Sequence, residues 1–82
     1  MDRKTFLLAL GQEIAVARRR HVPRMTQGEL AAKSGVNKRQ VGRIERGESP
    51  GQTDQLWAMA DALGVELSVL VEAAETEARK AN

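Results

Sequence analysis

Apolar residues recur at helical spacing along most of the chain, and no stretch keeps the two-residue alternation of a half-buried strand. Phe6, Leu7, Leu10, Ile14 and Ala17 form one stripe, which predicts a first helix from about Arg3 to Arg20 with Asp2 as its N-cap. Pro23 disfavours helical backbone at Val22, so His21 to Met25 reads as a loop. Thr26-Gln27-Gly28-Glu29 has the spacing of a capping box. The Thr26 hydroxyl accepts from the backbone N–H of Glu29, whose side chain reaches back, and this opens a short second helix with Leu30 and Ala31 inward. Gly35 tolerates the left-handed conformation that ends such a helix. A third helix follows Asn37, where Asn37-Lys38-Arg39-Gln40 has the form of a second, weaker capping box. Its apolar side is Val41 and Ile44, with Val36 just before it, and Gly47 and Pro50 end it. The fourth helix is predicted from about Thr53 to Leu63, with Leu56, Met59, Ala60 and Leu63 inward and Gly64 as C-cap. A fifth, from about Leu67 to Arg79, carries Leu67, Leu70, Val71, Ala74 and Ala78 on one face. The expectation is an all-α fold, one domain over residues 1–82.

The second and third predicted helices are short and separated only by Gly35-Val36-Asn37. Two helices joined by so tight a turn form a helix-turn-helix, here spanning about residues 27–46. A steep crossing needs a small residue at the contact, and Ala31 supplies one. With Val41 and Ile44 anchoring the third helix, its opposite face is left to Lys38, Arg39, Gln40, Arg43 and Arg46. An α-helix fits the major groove of B-DNA, where Arg pairs with guanine O6/N7 and Gln with adenine N6/N7. The first turn of the second helix, at Thr26-Gln27, offers free N–H groups and the positive end of a dipole to a phosphate.

Charge distribution agrees with that reading. Residues 1–50 hold eleven Lys/Arg against five Asp/Glu, whereas residues 51–82 hold two against six. A basic front and an acidic back suit a polyanionic partner on one side.

The pattern Thr26-Gln27-x-Glu29-Leu30-Ala31, Gly35-Val36, Val41, Ile44-Glu45 and Gly47 resembles the Cro/C1-type, or xenobiotic-response-element, helix-turn-helix family. The resemblance extends to Leu10-Gly11 and to Leu56-x2-Met59-Ala60-x2-Leu63-Gly64-Val65, covering about residues 6–72. It implies a five-helix lambda-repressor-like bundle that binds double-stranded DNA, usually as a homodimer on a near-palindromic operator. It also implies that Gln27 meets a phosphate and that Lys38, Arg39 and Arg43 are the main base readers, with Gln40 and Asn37 as edge and backbone contacts, unless Asn37 serves only as a cap. From their own positions, Gln40 joins the base-reading set, and Arg24 in the loop and Arg46 at the end of the third helix join the phosphate contacts. A further implication of the resemblance is an ion pair between Glu45 and a first-helix arginine. Counting from Leu10-Gly11 that arginine is Arg18; counting back from Gln27 it is Arg20. Helical phase from Ile14 favours Arg18.

Other features are less specific. Arg18-Arg19-Arg20-His21 with Arg24 reads either as phosphate-contacting or as a helix C-terminus favoured by its dipole. Val69, Ala73 and Thr76 make a second stripe on the fifth helix, a candidate dimer interface to which Trp57, read as a half-buried core or interface residue, contributes. There is no cysteine, and His21 is the only histidine, so no metal site and no cofactor are expected. Ser34, Ser49 and Ser68 lack a placed base, which argues against an enzyme. The apolar run Phe6 to Leu10 is shorter than the roughly 7–15 residues of a secretory signal, and no segment approaches the ~20 residues of a membrane span, so a cytoplasmic location is expected. Two functions compete: an autonomous transcriptional regulator, and an antitoxin-type module that grips a toxin and autoregulates its operon.

Overall fold

A computed structural model describes residues 1–81 of the chain. Its five helices are α1 (Arg3–Arg20), α2 (Gln27–Ser34), α3 (Lys38–Glu45), α4 (Thr53–Leu63) and α5 (Leu67–Lys80). The fifth runs one residue beyond its predicted end; the described residues contain no strand.

Local chemistry sets most boundaries. Asp2 caps α1 by accepting from the Thr5 N–H at 2.7 Å. At α2 the full capping box forms, with the Glu29 N–H donating to Thr26 Oγ1 at 3.1 Å and the Thr26 N–H to Glu29 Oε1 at 2.9 Å. The Thr26 backbone donor is the largest cause holding the Glu29 carboxyl below its ordinary range. Gly35 closes α2 at φ 75°, a left-handed conformation that L side chains rarely adopt. The predicted box at α3 forms only by half. The Asn37 side chain accepts from the Gln40 N–H at 2.8 Å, but the Gln40 amide turns away toward Ser49 and Gln55, so nothing reciprocates.

Leu30, Val41, Met59 and Ala74 are fully buried at the centre of one core that also takes in Leu10, Ile14, Ile44, Leu63 and Leu70. Full burial contributes about 1.5–3 kcal/mol for each large aliphatic side chain. Met25 belongs to this core although it lies in the loop between α1 and α2. Pro23 denies that segment a helix, yet the Met25 side chain is still buried with the core. The tightest approach is between α1 and α3. Gly11 is buried, and a Cβ there would overlap the carbonyl oxygens of Ile44 and Glu45. The first helix therefore lies directly on the last turn of the third. α5 in turn packs on α1, and α4 on α2.

Candidate nucleic-acid interface

The inward side of α3 is Val41, Gly42 and Ile44. Its remaining face exposes Lys38, Arg39 and Arg43, with Arg46 just past its end and Gln40 half-buried. Two open clefts flank this face. One is lined by Arg18, Arg24, Thr26, Gln27, Gly28 and Lys38. The other is lined by Asn37, Arg39, Gln40, Arg43 and Gln55. The structure thus gathers Arg24, Gln27 and Lys38 on one side of α3 and Arg39, Gln40 and Arg43 on the other.

Beneath the first cleft sits the node that fixes α3. Arg18 forks onto Glu45, with Nε donating to Oε2 at 2.8 Å and Nη2 to Oε1 at 3.0 Å, while Nη1 donates to the Met25 carbonyl at 3.0 Å. Arg20 is exposed, and it is Arg18 that meets Glu45. The pair is well covered, its side chains only 13% and 5% accessible. The hydrogen bond to Glu45 raises the Arg18 guanidinium further above its ordinary range. Gln27 joins the node, its Nε2 donating to Glu45 Oε1 at 2.9 Å. Its side chain thereby ties α2 to α3. Its backbone N–H, at the first position of the helix, has no intrahelical acceptor and remains available to a phosphate.

The other residues fall as follows. Asn37 spends its side-chain oxygen on capping α3. Arg24 is exposed in the loop. Arg46 is held by a carboxylate of its own chain, Nε to Glu48 Oε2 at 2.8 Å and Nη2 to Oε1 at 3.2 Å, on a surface where both side chains are more than half exposed. These hydrogen bonds raise the Arg46 guanidinium and lower the Glu48 carboxyl. Glu48 and Gln55 are the neighbours of this face that sequence reasoning missed. For Gln55 a signal existed, the Gln52-x2-Gln55 spacing at the start of α4. The Gln52 N–H does donate to Gln55 Oε1, at 3.0 Å.

Trp57 on α4 is 60% exposed and so is not a core residue. It lines a cleft at the α4–α5 turn with Asp61, Glu66 and Leu67. Val69 and Ala73 line a separate cleft with Glu13 of α1. The apolar stripe of α5 and Trp57 thus border different grooves. Among the described residues no cluster of acidic and histidine side chains has the makings of a metal site, and no helix is long and apolar enough to cross a membrane.

A helical pair with a left-handed glycine between, a basic outer face and a buried anchor on the second helix defines a DNA-binding helix-turn-helix. Residues 24–70, more than half of the chain, match the helix-turn-helix family, and the chain belongs to its Cro/C1-type, xenobiotic-response-element branch of DNA-binding transcription regulators. This family is typically non-enzymatic. The matched segment begins after α1. Comparison with curated proteins finds no match.

Proposed function

We infer that this protein is a sequence-specific regulator that lays α3 in the major groove, as a homodimer on a near-palindromic operator. The observation that carries the reading is the segregation of α3. Val41, Gly42 and Ile44 are buried while Lys38, Arg39 and Arg43 project outward, on a helix locked in place by the Arg18–Glu45 pair. Lys38, Arg39, Gln40 and Arg43 read base edges; the α2 N-terminus at Gln27, with Arg24, Asn37 and Arg46, positions the backbone. Val69 and Ala73 on α5 support pairing of two copies, and Trp57, exposed in a separate groove, offers a second apolar contact to it. A twofold dimer then matches half-sites about 34–36 Å apart.

Selection from a random duplex pool, followed by binding to the winner over a range of salt, tests this. The expected product is a near-palindrome bound ~10³-fold or more above random DNA. Arg43→Ala should cost ~1–3 kcal/mol and relax preference at one base pair per half-site. No enriched sequence, with only weak salt-sensitive binding, would reduce the basic face to general electrostatics and turn attention to a protein partner such as a toxin.

A further inference from the structure

Gln40 makes two hydrogen bonds through one atom. Its Nε2 donates to Ser49 Oγ at 3.1 Å and to Gln55 Oε1 at 3.2 Å. An amide nitrogen has two hydrogens, so both are spent inside the protein. Which end of a glutamine amide points where is fixed by its partners, and here the chain of partners ends in the backbone. The Gln52 N–H can only donate, so the Gln55 atom that meets it is the oxygen. The Gln40 atom facing that oxygen must then be its nitrogen. Ser49 is compatible with either end of the amide: its Oγ accepts from the Gly51 N–H at 3.2 Å and keeps both a lone pair and its own proton, so it is Gln55 that sets the orientation. The Gln40 carbonyl oxygen is what remains. It accepts no hydrogen bond among the described residues, and none of their buried side-chain oxygens lacks a partner, so it meets solvent. Gln40 lines a cleft together with Arg39 and Arg43.

We propose that Gln55, through this relay, is a specificity-determining residue that makes Gln40 an acceptor-only reader of DNA. The proposal rests on the assignment of α3 as the reading helix. An amide free to turn can serve adenine with both a donor and an acceptor. Gln40, with its donors occupied, can only accept. In the major groove the donors are the exocyclic amines, adenine N6 and cytosine N4, whereas guanine offers O6 and N7 and thymine O4, all acceptors. Gln40 therefore favours adenine or cytosine on the strand it faces and disfavours guanine and thymine there. Discrimination by one such bond is about three- to tenfold. Gln55 acts here through the Gln40 amide. It is a positioning residue, and α4 thereby takes part in reading.

The test compares the full chain with Gln40→Ala, Gln55→Glu, Gln55→Ala and Gln55→Lys. A random duplex pool identifies the preferred site, and duplexes carrying each of the four bases at each position are then bound. Gln40→Ala identifies the position Gln40 reads, where preference should flatten. Gln55→Glu keeps an acceptor toward Gln40 and should preserve adenine or cytosine. Gln55→Ala releases the amide and should bring the four bases within about twofold of one another. Gln55→Lys presents only donors, turns the Gln40 oxygen inward and its nitrogen outward, and should exchange the preference for guanine or thymine. Circular dichroism checks folding, and should the lysine variant not fold, the glutamate and alanine variants decide between them. Wild-type protein that selects no sequence overturns the reading helix itself. Wild-type protein that selects a sequence, with Gln55→Ala and Gln55→Lys unchanged at the position Gln40 reads, overturns the relay alone. So does Gln40→Ala with no effect at any position.

Discussion

Replacing Arg18 with methionine keeps most of the side-chain volume and removes the guanidinium. Three hydrogen bonds go with it, two to Glu45 and one to the Met25 carbonyl. The Glu45 carboxylate, on a side chain only 5% accessible, is left with the Gln27 amide as its remaining partner. Removing one member of a buried pair costs ~3–5 kcal/mol, mostly the penalty of the stranded charge. Arg18 itself is 13% accessible and sits beside an open cleft, so water can reach the vacated space and the lower end, about 3 kcal/mol, applies. A domain of this length has roughly 4–12 kcal/mol in total, so a quarter or more of its stability is at stake. The melting temperature should fall by about 12–24 °C. Urea unfolding followed by circular dichroism measures this for Arg18→Met, Glu45→Leu and the double variant. The double variant removes both charges, and its loss should be smaller than the sum of the singles by ~1–3 kcal/mol. A cost below ~1 kcal/mol for Arg18→Met is the behaviour of an exposed pair, and additive losses would show no coupling; either result refutes the role given to the node.

Gly11→Ala should destabilise by ~3 kcal/mol or more, because the new methyl group meets backbone oxygens of Ile44 and Glu45 that no side-chain rotation can move; a chemical melt within ~1 kcal/mol of the parent would contradict the close packing of α1 on α3. The Glu29 carboxyl titrates below its ordinary value of 4.5 because the Thr26 backbone and hydroxyl stabilise the anion. A lowered folded value means that its contribution is present above 4.5 and is lost as pH falls through the lowered value. Glu29→Gln keeps the capping geometry without the charge, so thermal melts between about pH 5 and pH 2 should show a shallower acid loss than the parent, and equal slopes would count against the cap as the source. Glu48→Gln releases Arg46 from its carboxylate, so affinity for random duplex DNA should rise several-fold and the salt dependence should steepen by about 0.9 in log–log slope; a fall in affinity would instead make Glu48 a support for Arg46.

Short-range signals were the ones the sequence exposed well. Asp2, Thr26, Gly35 and Gly64 each act within three or four residues of where they stand, and each lies where its local chemistry puts it. Met25 was hidden because periodicity has no meaning in a segment that proline keeps out of a helix. Trp57 misled for the opposite reason: its size suggests burial, but its position on α4 faces outward. At the candidate site, the exposed arginines and lysine of α3 could be read from helical phase alone. The fate of the Gln40 amide could not, since it depends on a loop and a helix start nine to fifteen residues away. The capping-box spacing at Asn37 pointed its side chain back along the same turn, and a competing pair of acceptors won.

The division of labour within α3 has a consequence for how such proteins diversify. Eight residues carry two interleaved vocabularies, one addressed to the protein and one to DNA. The side chains at positions 38, 39 and 43 are exposed and make no hydrogen bond or ion pair among the described residues, so they can be exchanged together and the protein sent to a new address at little cost in foldedness. Position 40 is not free in this way, because it is bonded to the loop after α3 and to the start of α4. In a set of relatives, the first three positions should vary independently of the scaffold, while position 40 should change in step with positions 49 and 55.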